Sequence, residues 1–264
     1  MDSIPTQKYR IATWNLDRPS RAKISNTIKS KIQEINADIF VLTETSELID
    51  LSSDYFSIKS QEFPHYQDAP WITIWSRWPI TESITTFNPY RTACCLIDSP
   101  FGQLIVYGTI IPYHMAGVSG NRYPEKGKKV WQMHLEDILA QAEDWKKIMS
   151  NYPGIPLVIA GDFNQTRDNL PMGYGTGQAR KLLTQKLLDN GLVCITESDF
   201  GFSGYLTPDP KKQKIRRNID HICISRSPCL EMDYQVGAWD HFTDDGFFMS
   251  DHNGVYVDLS KEMT

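Results

Sequence analysis

The strongest constraint on the fold is a change of pattern partway along the chain. Near the start, Tyr9-Arg10-Ile11-Ala12-Thr13-Trp14 reads as a strand. Ser20 to Ile35 then carries apolar residues at near-helical spacing (Ala22, Ile24, Ile28, Ile32, Ile35), and Asp38-Ile39-Phe40-Val41-Leu42-Thr43 reads as a buried strand. Strand, helix, strand is a layered α/β unit. Further on, the runs 92–98 and 103–111 flank Ser99-Pro100-Phe101-Gly102, which predicts a hairpin with a four-residue connection. A chain holding both a crossover unit and hairpins requires mixed sheets rather than one all-parallel, doubly wound sheet.

The rest of the chain extends this reading. Trp71 to Ser76 alternates like a strand. Glu125 to Met149 predicts a long helix whose buried stripe includes Val130, Met133, Leu135, Ile138, Leu139, Ala142, Trp145 and Ile148, with Pro153 and Gly154 at its exit. Pro156 to Ala160 reads as a strand and Gly177 to Asn190 as a helix closed by Gly191. Strands follow at Leu192–Thr196, Asn218–Ser225, Tyr234–Ala238 and Val255–Leu259. The expected architecture is a four-layer αββα sandwich of two mixed sheets flanked by helices, in one domain spanning 1–264.

Composition bounds the function. The chain has 264 residues, 41% of them hydrophobic, and a formal net charge of −5. A protein that coats nucleic acid would need a basic face, so that class is disfavoured, while an acidic site for a divalent cation agrees with the sign. The 5 cysteines (Cys94, Cys95, Cys194, Cys223, Cys229) form no CxxC and fall mostly in apolar runs. Buried free thiols in a reducing compartment are expected. Residues 1–8 lack the apolar core of a signal peptide and no run reaches membrane-span length, so a cytoplasmic protein is expected.

Polar groups gather at strand ends in five places: Asn15 with Asp17; Glu44; Asp162 with Asn164; Asp220; and Asp251 with His252. Residues two apart in an extended chain face the same side, which would pair Asn15 with Asp17 and Asp162 with Asn164. Asp220 lies between Ile219 and Ile222, where a charge needs a partner. His221 alternates to the opposite face and reads as structural, so His252 is the better partner for Asp220. Acidic oxygens with an amide and no Cys/His cage suit Mg²⁺, or Mn²⁺, rather than structural zinc. Each group has a plainer reading: Asn15 or Asp17 as a turn residue, Glu44 as a helix cap, Gly161-Asp162 as a turn. Asp240-His241 repeats the Asp-His dipeptide outside an apolar strand context and reads as surface.

Six strings resemble the endonuclease/exonuclease/phosphatase superfamily of metal-dependent phosphoesterases with the DNase I-like fold. They are Ala12-Thr13-Trp14-Asn15-Leu16-Asp17, Ala37 to Thr45, Ser76-Arg77-Trp78-Pro79-Ile80, Ala160-Gly161-Asp162-Phe163-Asn164, Asn218-Ile219-Asp220-His221-Ile222 and Ser250-Asp251-His252. They occur in the family's order and span nearly the whole chain; GDFN followed by SDH is the most specific pair. The resemblance implies the αββα fold and a set of roles. Glu44 would be the principal metal ligand, helped by Asn15, Asp17 or Asp251. Asp162 would orient or deprotonate the attacking water, with Asn164 holding that group and the phosphate. His252, supported by Asp220, would donate to the phosphate oxygens. In one departure, isoleucines stand at Gly108-Thr109-Ile110-Ile111-Pro112-Tyr113-His114, where many relatives carry a polar string. Either Tyr113 or His114 supplies the missing donor from the loop, or the loop is shifted and the substrate different.

The basic run Lys211-Lys212-Gln213-Lys214-Ile215-Arg216-Arg217 precedes Asp220, so Lys214, Arg216 and Arg217 are candidates to meet phosphate at the mouth of the site, or else form a solvated loop. Arg122, Lys126, Lys128 and Lys129 form a second basic group, and Tyr123, Tyr174, Tyr205 and Trp239 are candidates to stack on bases. The expected activity is metal-assisted hydrolysis of phosphodiesters in nucleic acid. The alternative is a phosphatase or phosphodiesterase acting on a small phosphorylated molecule or lipid headgroup. A catalytically inactive scaffold is opposed by the joint presence of Glu44, Asp162, Asn164, Asp220, Asp251 and His252. No obligate protein partner is indicated.

Overall fold

The computed structural model describes residues 6–62, 69–119, 123–209, 211, 214–226 and 233–262. The expected residues 1–5, Arg122, Lys212, Gln213 and Cys229 lie outside them. One sheet contains β1 (Thr6–Asn15), β2 (Ile39–Thr43), β3 (Phe56–Lys59), β4 (Ile72–Ser76), β11 (Asp233–Trp239) and β12 (Gly254–Glu262), in the order β11-β12-β1-β2-β4-β3. The other contains β5 (Ile80–Ser83), β6 (Thr92–Ser99), β7 (Gly102–Ile110), β8 (Leu157–Asp162), β9 (Leu192–Cys194) and β10 (Asp220–Ser225), in the order β5-β6-β7-β8-β10-β9. Each sheet has one parallel pair joined by a helical crossover: α1 (Ala22–Ile35) links β1 to β2, and α2 (Gln132–Asn151) links β7 to β8. The remaining pairings are antiparallel.

The period-two alternation of side chains divides the core into three layers. Ile11, Val41, Ile74, Val106 and Val158 face inward and fill the space between the sheets. On the same strands Ala12, Trp14, Phe40 and Leu42 face outward, where Ile28, Ile32 and Ile35 of α1 cover them. On the far side, Ile105, Tyr107, Leu157 and Ile159 meet Ile138, Ala142, Trp145 and Ile148 of α2, together with Leu183 and Leu187 of α3 (Gly177–Asp189). The molecule is therefore the expected αββα sandwich. Burying an aliphatic side chain of this kind contributes about 1.5–3 kcal/mol, so the helices are fixed to the sheets mainly by these stripes.

Several local expectations change. The hairpin pairs Ser99 directly with Gly102, so its connection is the two residues Pro100 and Phe101 rather than four. The second helix begins at Gln132, not Glu125. Ahead of it Gly127 (φ 76°) and Trp131 (φ 68°) are left-handed, and the amides of Lys128 and Trp131 donate to Gly117 O and His114 O of the preceding loop. Those bonds replace a first helical turn. Val130 and Leu139 are exposed, and polar residues take part in the buried stripe instead. Asp137 binds Arg91 (2.9 Å), Gln141 accepts from Thr109 Oγ1 (2.8 Å), and Asp144 accepts from Tyr107 Oη (3.1 Å). A reading that counts only apolar residues cannot find such positions. The strands β3 and β5 are short and mostly exposed and were not anticipated as elements.

Candidate active site

At one end of the sandwich the strand ends of both sheets open into a cleft of about 560 Å³. Asp162 is the last residue of β8 and Asp220 the first of β10, and the two are direct cross-strand partners. Gly161 makes this possible. Its φ is +143°, and a Cβ there would lie 1.9 Å from Thr109 O of the neighbouring strand, so only glycine lets β8 turn its last residue into the cleft.

Asp162 is 2% exposed and held from several sides. Its Oδ1 accepts the Asn164 amide (2.8 Å), and its Oδ2 accepts Asn164 Nδ2 (2.8 Å) and Asn15 Nδ2 (3.2 Å). Asn164 is left-handed (φ 48°) and also donates to Ile111 O (3.0 Å), which locks the amide. Burial lifts the Asp162 carboxyl to about 8; the charge of His252 opposes this, and the charges of Asp220 and Glu44 add to it.

His252 Nδ1 lies 2.6 Å from Asp220 Oδ2, and Asp220 is fully buried. Burial works against the charged imidazole, but the carboxylates of Asp220 and Asp162 outweigh it and lift the His252 pKa to about 10. Burial in turn raises the Asp220 carboxyl, against the pull of His252. The segment carrying His252 is pinned to the first sheet. Ser250 Oγ donates to Asn15 O (2.6 Å) and accepts from the His252 amide (3.1 Å), and Trp14 Nε1 donates to His252 O (2.9 Å). The other imidazole nitrogen, Nε2, lies 3.6 Å from Asp251 Oδ1 at the cleft.

Glu44 reaches the same place from the end of β2. Its backbone is left-handed (φ 46°) and its amide donates to Trp71 O (2.7 Å). Asn15 Nδ2 contacts both Glu44 Oε1 (3.5 Å) and Asp162 Oδ2 (3.2 Å) and so bridges the two carboxylates. Arg18 Nε binds Glu44 Oε2 (3.3 Å), a contact the sequence reading missed. Asp17 lines the cleft but is exposed, with its amide on Asn15 Oδ1 (3.0 Å). It reaches this position through a left-handed turn (φ 51°), because β1 ends at Asn15 and strand alternation stops there.

Two sets of groups could hold a cation. Ligand atoms of Asp162, Asp220 and His252 lie within 4.8 Å of one another, but Asp220 occupies the Nδ1 edge of the imidazole and the surrounding carboxylates favour its protonated form. The second set is built of carboxylates: Glu44 and Asp162, with Asp17 and Asp251 also lining the cleft, while Asn15 turns its Nδ2 donor toward Glu44 and Asp162 and bridges them. Hard oxygen donors and crowded carboxylates, one of them pushed toward neutrality, fit Mg²⁺ or Mn²⁺.

The remaining candidates divide. Tyr113, Tyr123 and Tyr174 line the cleft together with Trp71, which the sequence reading left out of the site. His114 does not line it. Its Nδ1 lies 2.7 Å from Tyr174 Oη and its ring packs on Trp131, so it holds Tyr174 rather than facing substrate. Arg216 and Arg217 line the cleft, but both are engaged: Arg216 by Asp251 (3.6 Å) and Arg217 by Asp168 (2.7 Å from Nε). Lys214 is exposed and outside the lining. Lys128 pairs with Glu136 (2.7 Å), also away from the cleft. Tyr205 is exposed but lies outside the cleft lining, and Trp239 is buried against Trp14, so neither lines the site. His221 is structural as expected, with Nε2 3.0 Å from Gln165 O. The Asp240-His241 pair is a correction: His241 is 1% exposed, and Asp240 holds the backbone of Thr207 (2.8 Å) in a clasp between two loops.

A profile of the "Endonuclease/Exonuclease/phosphatase family" matches residues 12–252. Among solved structures, D. rerio TDP2 complexed with single-strand DNA product is similar with a TM-score of 0.63 at 16% identity, covering 96% of this chain and 99% of that one. Truncated Caenorhabditis elegans TDP2 gives 0.63 at 14% identity, with 96% and 98% covered. The endonuclease domain of TRAS1, a telomere-specific non-LTR retrotransposon, gives 0.58 at 14% identity, with 96% of this chain and 98% of that one covered. At these identities the likeness to solved structures is one of fold. No curated protein matches the chain.

Proposed function

The chain belongs to the endonuclease/exonuclease/phosphatase family, and from that premise we propose that it is a Mg²⁺- or Mn²⁺-dependent phosphodiesterase that hydrolyses nucleic acid, taking a single strand into the cleft. The observation that carries this reading is the meeting of Glu44, Asn15, Asp162, Asn164, Asp220 and His252, drawn from both sheets, in one cleft.

A cation held by Glu44, with Asn15 and Asp162 beside it, would polarise a phosphoryl oxygen and offset charge on the leaving oxygen. Asp162, oriented by Asn164 and Asn15, positions the attacking water and accepts its proton. His252 carries its proton under the hold of Asp220 and donates from Nε2 to a phosphate oxygen. Asp251 keeps the rim acidic beside that nitrogen. Tyr113 and Tyr174 offer aromatic surface for a base next to the scissile phosphate. The fold's likeness to a protein solved with a single-strand DNA product supports the same reading.

A small phosphorylated molecule is the second reading, and one observation favours it. The two cleft arginines already have carboxylate partners and Lys214 lies outside, so a long phosphate track has few cations to follow. A turnover assay decides. Labelled single-stranded DNA, single-stranded RNA, duplex DNA and a panel of small phosphate esters are incubated with Mg²⁺, with Mn²⁺ or with EDTA. Metal-dependent cleavage of single strands ahead of duplex and small esters is expected. Turnover of small esters alone selects the second reading, and hydrolysis that EDTA leaves intact refutes the metal-dependent reading.

A further inference from the structure

Away from the cleft, two cysteines face each other across the edge of the second sheet. Cys194 on β9 and Cys223 on β10 are direct antiparallel partners, 5% and 0% exposed. Their place in the ladder follows from its hydrogen bonds. Ile195 N donates to Ile222 O (3.0 Å) and Arg226 N to Gly191 O (2.9 Å), so the hydrogen-bonded pairs alternate from 195/222 through 193/224 to 191/226. Cys194 and Cys223 therefore form a non-hydrogen-bonded pair. Such pairs bring Cα atoms to about 4.5 Å with their side chains closest, within the roughly 4.4–6.8 Å over which a disulfide closes.

The two thiols also differ chemically. The neighbouring Cys223 thiol, with the His221 ring and the Arg167 guanidinium, pulls Cys194 well below the ordinary thiol range against the effect of burial, while burial pushes Cys223 up. A sulfur with thiolate character is the one an oxidant attacks first, and its cross-strand partner is placed to resolve the product. By contrast Cys94 and Cys95 are adjacent on the interior strand β6, their side chains face opposite sides of the sheet, and burial raises both.

We infer that Cys194 and Cys223 are a redox modification site, which a peroxide converts into a cross-strand disulfide tying β9 to β10. Cys194 sulfur attacks one peroxide oxygen, the O–O bond breaks, and sulfenic acid and water form once the thiol proton is counted. The Cys223 sulfur then attacks the sulfenic sulfur and displaces a second water. The two thiols lose two protons and two electrons, and hydrogen peroxide is reduced to two waters. β9 is a three-residue edge strand, so local opening there admits the oxidant. The site stands whether or not the cleft hydrolyses phosphoesters.

The test uses folded protein carrying Cys229→Ser, which removes a competing thiol. It is treated with hydrogen peroxide, digested without reduction and mapped by mass spectrometry. A linked peptide pair containing Cys194 and Cys223, lighter by two hydrogens, is expected before Cys94 or Cys95 is modified, and dithiothreitol should reverse it. The oxidised protein should melt roughly 5–10 °C higher. In Cys223→Ser the Cys194 sulfenic acid should accumulate and be trapped by dimedone; if that variant does not fold, the Cys229→Ser map alone decides. Cys194 and Cys223 remaining free after peroxide, or Cys94 and Cys95 oxidising first, would overturn the inference.

Discussion

On the floor of the cleft, Asp162 and Asp220 are cross-strand partners on β8 and β10, and Asn164 and His252 are fixed to them by bonds of 2.6–2.8 Å. On the rim, Asp17, Arg18 and Glu44 leave β1 and β2 in left-handed conformations, and ion pairs form there: Glu44 with Arg18, and Asp251 with Arg216. The floor is set by sheet register, which a ligand does not alter. The rim is set by ion pairs that a cation or a phosphate can replace. Preorganised chemistry below and exchangeable charge above is a division of labour suited to a hydrolase that must admit and release an anionic substrate.

This contrast can be broken most sharply from the floor. Asp162→Ala and His252→Ala should each lower kcat by about 10²–10⁴-fold with little change in KM, measured with metal on the best substrate of the panel. Asp220→Asn should cost less, about 10–100-fold, since it keeps the shape but loses the charge that holds the imidazole proton. Full activity in either alanine variant would remove the floor from the chemistry.

Rim substitutions should act through ligands rather than through the chemical step. Glu44→Gln is expected to raise the Mn²⁺ concentration for half-maximal activity by about 10–100-fold while saturating metal restores much of kcat; a metal titration followed by kinetics checks this. The smallest effect belongs to Arg216→Gln with Arg217→Gln. Each arginine already has a carboxylate partner, so KM should rise by less than about 10-fold, with a shallower dependence of log KM on log salt. A large fall in kcat from these arginines would erase the distinction between floor and rim.

The same contrast explains what could be read from the chain. Gly161-Asp162-Phe163-Asn164 and Ser250-Asp251-His252 sit beside apolar strand runs, so their place at strand ends was legible, although alternation was not the reason: β8 ends at Asp162 and Asn164 is left-handed (φ 48°). Asn15 and Glu44 were legible for the same reason. Arg18 was not, because left-handed backbone at Asp17, Arg18 and Glu44 breaks the period on which such readings depend. Nor was the pairing of Arg217 with Asp168, or of Arg91 with Asp137, since the partners lie far apart in sequence and carry no periodic signal. Trp71 read as a strand residue, yet it lies just before β4, buried in the cleft wall beneath Arg18, and the His114 ring bonds to Tyr174 instead of lining the cleft. The helix α2 was misjudged at its start because, in the stretch ahead of it, the amides of Lys128 and Trp131 bond to the preceding loop instead.

The account rests on a cation bound at the Glu44 side of the cleft, with the Asp220–His252 pair beside it as a proton-bearing group. Anomalous diffraction from crystals grown with Mn²⁺ tests this directly. A peak in contact with a Glu44 carboxylate oxygen, with His252 still bonded to Asp220, is the predicted result. A peak ligated by His252 nitrogen between Asp162 and Asp220, or no peak in the cleft at saturating Mn²⁺, would contradict it.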